Sequence, residues 1–163
     1  GSHLAEGSNR RGEKARFWLL ATKRGLAFIA DVDKGGGAPM PSNRDWYNGD
    51  CVEIFIDPAL ERKRPAKQIF FAYNRPGIDR AASSAPGVTI GRVRTDRGYA
   101  LEALIPWDEL GLSGVPDEKF GLDVQVDVGD ADGRRLQLTY ATGTNEAWIT
   151  AANFLTVTLS RPD

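Results

Sequence analysis

The sequence predicts an all-β protein, an antiparallel β-sandwich of the immunoglobulin-like or jelly-roll type with about nine or ten strands and one short helical turn. Three observations carry this prediction. Apolar residues recur at alternate positions in short runs, as in Phe120, Leu122, Val124, Val126 and Val128, with Asp123, Gln125 and Asp127 on the opposite face. Glycine, proline, asparagine and aspartate punctuate the gaps between runs. Only the stretch 106–111 carries helical start and stop signals, a leading proline and a closing glycine.

The elements follow in order. Residues 1–14 are polar and rich in Gly, Ser and Arg and read as a tail or linker, with Gly1-Ser2-His3 matching the scar of a cleaved expression tag. The folded module is expected over residues 15–160. Residues 16–22 (RFWLLAT) and 26–32 (LAFIADV) make a strand pair that turns at Lys23-Arg24-Gly25. Residues 33–44 contain three glycines and two prolines, a mixture no regular element tolerates, and form a long loop. In residues 45–57 (DWYNGDCVEIFID), Asn48-Gly49-Asp50 turns the chain into a strand. Residues 67–74 (KQIFFAYN) are the next strand, and 75–86 are irregular. Residues 88–95 and 99–105 form a hairpin around Asp96-Arg97-Gly98. After the helical turn, residues 120–128 are a strand and the chain turns at 130–133. It returns over 135–141, presents Trp148 after a polar loop, and closes with a strand over 154–159.

A chain of 163 residues suits one domain with a real core. The net charge of -1 lacks the basic excess of a nucleic-acid surface, and no apolar run approaches the length of a membrane span. Neither nucleic acid nor membrane is an expected partner. The single histidine, His3, falls in the tag-like stretch. Without another, Ser-His and Cys-His pairs, histidine zinc sites and histidine haem ligation are excluded from the domain. The single cysteine, Cys51, excludes an intrachain disulfide and, within an apolar strand, reads as a buried inert thiol.

The four tryptophans divide into two kinds. Trp18 and Trp107 adjoin strands and read as core or lid residues. Trp46 and Trp148 stand in polar loops, where an exposed indole leaves apolar area in water. Facing one another across a slot, they would take the apolar C–H faces of a sugar ring. Glu53, Gln125 and Asn145 are the candidate groups for its hydroxyl rim. Each charge-assisted hydrogen bond there would contribute about 1.5–3 kcal/mol. Tyr47 is the substitute wall should Trp46 turn inward. The plainer reading of each residue is a solvated face, a turn, or an indole folded over the sandwich end.

The quoted segments, together with GYALEALIPWDELGL, FGLDVQVDVGD and TNEAWITAANFLTVTL, resemble family 9 carbohydrate-binding modules, sugar-binding domains attached to xylanases and other extracellular polysaccharide enzymes. The resemblance spans roughly residues 15–159, and the phrases VEIFID and EALIPW belong to the wider fold group. In that family two tryptophans sandwich a terminal sugar while acid and amide side chains bind its hydroxyls. By position these correspond to Trp46 and Trp148, and to Glu53, Gln125 and Asn145. The resemblance implies a non-catalytic, extracellular module tethered to a larger polysaccharide-active enzyme. Its ligand would be a mono- or oligosaccharide of the glucose, cellobiose, xylo-oligosaccharide or galactose type. The best-defined family site takes a reducing end.

The chain departs from the family pattern at several points. The Trp46-to-Glu53 interval is longer, with Asn48-Gly49 as the insertion. Phe70 stands where the family carries a basic residue, with Arg75 as a candidate substitute. A polar tail replaces the family's leading segment. No cofactor is required. The family's frequent structural calcium is a resemblance-based expectation with no residues assigned. Asp130-Ala131-Asp132-Gly133 fails the EF-hand register, since Val128 and Thr139 fall at the first and last ligand places.

Three other functions compete. A glycosidase would pair Glu53 with Asp123 or Asp127, or use Glu102. A haem domain would have to rest on Met40 with lysine, tyrosine or Cys51. A protein-interaction sandwich would pack Trp46 and Trp148 inward.

Overall fold

The computed structural model describes residues 2–5, 12–41, 45–65, 67–73 and 85–160. The first half of the chain forms β1 (Ser2–Ala5), β2 (Lys14–Thr22), β3 (Gly25–Asp33), β4 (Cys51–Asp57) and β5 (Lys67–Ala72). The second half forms β6 (Thr89–Arg94), β7 (Gly98–Pro106), the helical turn α1 (Trp107–Leu110), β8 (Lys119–Asp130), β9 (Gly133–Thr139) and β10 (Leu155–Thr158). All pairings are antiparallel. One sheet runs β1-β2-β3-β7-β6, and the other runs β10-β8-β4-β5 with β9 also on β8. This is the all-β sandwich that the alternating pattern predicts.

The inward faces are the alternating apolar sets. Leu26, Phe28, Ala30 and Val32 of β3 meet Val52, Ile54 and Ile56 of β4 and Ile69 and Phe71 of β5 in one core. Phe28 stacks on Phe71 across the two sheets with ring centroids 5.7 Å apart. Each such buried ring contributes roughly 1.5–3 kcal/mol. Trp107 covers one end of this core and donates from Nε1 to the Thr22 carbonyl at 3.0 Å, the lid role expected of it. Trp18 does not fill the core, in contrast to its expected role. The strand alternation gives the inward place to Phe17, and Trp18 lies half-buried on the outward face, opposite Ile29. Ser2–Ala5, within the stretch that reads as a polar tail, runs beside β2 from Ser2 opposite Trp18 to Ala5 opposite Ala15.

Two features of the second sheet position the site. All seven residues of β4 are buried, so both of its faces are covered. One edge of β8 is divided between two partners, β10 on residues 119–122 and β9 on residues 125–130. The chain leaves the sheet where β9 ends and returns where β10 begins. In between it folds over the outer face of β4, where Ala147, Ala151 and Phe154 bury Phe55 in a second small core.

Candidate functional site

The register puts one row of side chains across the outer face of the second sheet. Phe70, Glu53, Gln125 and Thr139 lie on a single rung from β5 through β4 and β8 to β9. Asp123 and Asp127 sit on the flanking rungs. Sequence alternation reads these β8 residues as an exposed polar face, but Glu53, Asp123, Gln125 and Asp127 are all buried. The covering loop reaches Asp123 and Gln125 through Thr142, and Arg134 and Gln137 of β9 reach Asp127; sequence period tells which face a residue takes and not what lies over that face.

Each buried polar group has specific partners. Asp123 Oδ1 accepts the Ala141 amide at 2.7 Å and the Val124 amide at 2.8 Å, and its Oδ2 accepts the Thr142 hydroxyl at 2.9 Å. It therefore anchors the start of the covering loop. Burial raises the Asp123 carboxyl above its ordinary range against these hydrogen bonds. Gln125 Nε2 donates to the Thr144 carbonyl at 3.1 Å and to Thr142 Oγ1 at 3.2 Å, while its Oε1 has no protein partner among the described residues. Gln68 Nε2 donates to Glu53 Oε2 at 2.7 Å.

Asp127 Oδ1 accepts from Arg134 Nη1 at 3.1 Å and from Gln137 Nε2 at 3.0 Å. Burial first, then the Glu53 charge and a hydrogen bond shared with Glu53, hold the Asp127 carboxyl well above the usual carboxylate range. The Arg134 guanidinium opposes that shift without overcoming it. Asp127 Oδ2 has no donor among the described residues.

Above this floor lies a groove of about 360 Å³, within the usual size of a small-molecule site. Tyr47, Glu53, Gln125, Asn145 and Trp148 line it. So do Phe55, Gln68, Phe70 and Arg134, which sequence reasoning did not assign to a ligand. Trp46 is half-buried and is not part of this lining. Of the two neighbouring aromatics, Tyr47 enters the groove. Trp148 is 52% exposed, with its Nε1 donating to the Asn145 carbonyl at 3.2 Å. Arg75 lies outside the described residues. Arg134 falls between the expected turn at 130–133 and the expected return strand at 135–141, whereas the strand itself begins at Gly133. Its signal was the pairing of that strand with the strand carrying Asp127.

The Tyr47 turn is fastened from both sides. Asn48 Oδ1 accepts the Arg134 amide at 2.8 Å, which gives the Asn48-Gly49 insertion a docking role. Lys34 Nζ donates to Asp50 Oδ2 at 2.5 Å and to the carbonyls of Ala38 and Gly129 at 3.2 and 3.3 Å. Asp50 also accepts the Met40 amide at 2.5 Å and the Gly129 amide at 2.9 Å. The glycine triplet that follows Lys34 has φ values of 77°, 108° and 88°, a left-handed path that side-chained residues resist.

The described residues assign no calcium ligands. They contain no group of three or more His, Cys, Asp or Glu side chains arranged to hold a metal. The oxygens of Ala38, Asp50 and Gly129 converge on a cation, but the Lys34 ammonium fills that place.

A family model described as "Carbohydrate family 9 binding domain-like" matches residues 8–161. The chain belongs to that family. Two solved structures of a carbohydrate-binding module of family 9 from Caldicellulosiruptor kristjanssonii are similar to it. The complex with cellotriose has a TM-score of 0.79 at 22% identity, over 100% of this chain and 84% of the other. The complex with glucose has a TM-score of 0.80 at 22% identity, over 100% of this chain and 86% of the other. At that identity the likeness establishes a shared fold. Among curated proteins none matches this chain.

Proposed function

We propose that this domain is a non-catalytic module that holds the terminal sugar of a glucan, a xylan or a related oligosaccharide. The observation that carries this reading is the meeting of opposed chemistries in one groove. Glu53 and Gln125 face each other on neighbouring strands, Gln125 brings a buried carbonyl oxygen with no protein partner among the described residues, and Tyr47 and Trp148 offer half-exposed aromatic surface. A sugar ring needs both kinds of surface, aromatic area for its C–H faces and acceptors and donors for its hydroxyls.

In this reading Tyr47 takes the wall role expected of Trp46, Trp148 is the second wall, and Asn145 binds from the loop that carries Trp148. Affinity for one ring is expected near micromolar at best, about -8 kcal/mol. The module would serve a larger secreted polysaccharide-active enzyme by raising its effective concentration at the substrate. A reducing-end preference follows from the resemblance, and no bound metal is required.

Calorimetric titration with glucose, cellobiose, xylobiose, galactose and borohydride-reduced cellobiose tests this. Binding of at least one sugar, lost in Trp148→Ala, is the expected result. Loss of affinity on reduction of cellobiose identifies the reducing end. Absence of all sugar binding, or release of reducing sugar from xylan or cellulose, overturns the reading.

A further inference from the structure

We propose that Arg134 is a ligand-binding residue of the groove and that, together with Glu53, it selects a neutral sugar presenting two adjacent hydroxyls. The inference rests on the sugar-binding reading above.

Arg134 comes from β9, not from the strand on which a basic site residue was expected, and its placement is over-determined. Its amide is held by Asn48 Oδ1 at 2.8 Å, and its Nη1 is held by Asp127 Oδ1 at 3.1 Å. Its guanidinium carbon lies 5.1 Å from the centre of the Tyr47 ring. Anchors on two sides fix a flat cation against the aromatic wall, and a side chain fixed in advance loses little freedom on binding. The side chain is still 26% exposed and lines the groove. A guanidinium carries five N–H donors in a rigid fork, more than one carboxylate oxygen can use.

The ligand class follows from what shares the groove. The Glu53 carboxylate has about four lone-pair sites on its two oxygens and keeps acceptor capacity after the Gln68 bond. A donor fork and an acceptor pair in one groove match two neighbouring ring hydroxyls, each of which can both donate and accept. A sugar carboxylate would instead face the Glu53 carboxylate, with one arm of the Arg134 fork already engaged by Asp127. Like charges in such a site are costly, so uronic acids are disfavoured.

The test is calorimetric titration of the full chain, as wild type, Arg134→Ala, Arg134→Lys and Trp148→Ala. The sugars are glucose, its 2-, 3-, 4- and 6-deoxy analogues, and glucuronate. Arg134→Ala is expected to weaken glucose binding about tenfold or more, and Arg134→Lys to recover only part of that. For the deoxy sugar that lacks the contacted hydroxyl, Arg134→Ala should cost under about twofold, a non-additivity that a purely supporting arginine would not produce. Glucuronate should bind the wild type at least about tenfold more weakly than glucose. Additive losses with every deoxy sugar, tighter binding by Arg134→Ala, or glucuronate binding as well as glucose overturns the inference. If Trp148→Ala abolishes binding and Arg134→Ala changes none, this inference fails alone. If the wild type binds no sugar, it fails together with the reading beneath it.

Discussion

Lys34 Nζ lies 2.5 Å from Asp50 Oδ2, with both side chains almost fully removed from water. The pair ties the end of β3, the turn that carries Tyr47 and the bulged part of β8 at Gly129 into one knot. Removing either partner leaves a buried charge unpaired. Lys34→Ala or Asp50→Ala alone is expected to lower stability by about 3–5 kcal/mol, and Lys34→Met with Asp50→Leu by less. Urea unfolding of the three variants checks this, and equal losses in all three would count against the buried-charge account.

Gly129 is the backbone contact beneath that knot. A Cβ there would stand 2.7 Å from the Gly49 backbone, and neither backbone has a flexible end to yield. Gly129→Ala is expected to cost about 1–3 kcal/mol and to push the Tyr47 turn away from β8. Sugar affinity should then fall although no ligand-lining residue has changed. Retained stability and affinity together would show that the turn can move without consequence.

The pH dependence of stability has a definite sign at Asp127. Its folded carboxyl is raised by burial and by Glu53. Its stabilising contribution is therefore complete below the unfolded value of about 3.9 and is lost as pH rises through the higher folded value. Cys51, Glu53, Arg134 and Gln137 are the polar neighbours that bear on it. Asp127→Asn keeps an acceptor for Arg134 and Gln137, can donate to Glu53, and does not titrate. The advantage of the variant over wild type should grow as pH rises from about 4 and then level off. Urea unfolding from acid to neutral pH measures it, and a flat or falling difference would refute the raised Asp127 carboxyl.

Two aromatics of one loop should behave oppositely. Trp148 is half-exposed, whereas Phe154 is buried against Phe55. Trp148→Ala is expected to abolish sugar binding while changing stability by no more than about 0.5 kcal/mol. Phe154→Ala should cost roughly 3–5 kcal/mol and weaken binding by releasing the loop. Thermal unfolding beside calorimetry separates the two effects.

Much of the fold was legible because strand alternation is a local signal. The period along β8 marks Phe120, Leu122, Val124, Val126 and Val128 as inward, and each is buried, the first four in the core shared by both sheets. The buried state of Cys51 also follows from its strand, and burial raises its thiol well above the ordinary value. What stayed hidden depends on distant segments. Whether Trp46 or Tyr47 faces the groove is set by how Asn48 docks on β9. That Asp123 and Gln125 are buried depends on a loop that begins more than ten residues later in the chain. Arg134 gains meaning only when its strand is laid beside Asp127. Pairing across the sheet creates these relations, and no local period encodes them.

The divided edge of β8 has a consequence for the evolution and redesign of recognition. The pairing of β9 is fixed by residues 125–130 and that of β10 by residues 119–122, so neither register depends on the length of chain between them. An excursion leaving and rejoining the same strand edge can be lengthened, shortened or exchanged while both ladders keep their partners. The segment carrying Asn145 and Trp148 is such an excursion, whereas Glu53 and Gln125 are locked into the sheet. New specificities are therefore most accessible by exchanging the part of the loop around Asn145 and Trp148 while Ala147, Ala151 and Phe154 stay to cover Phe55.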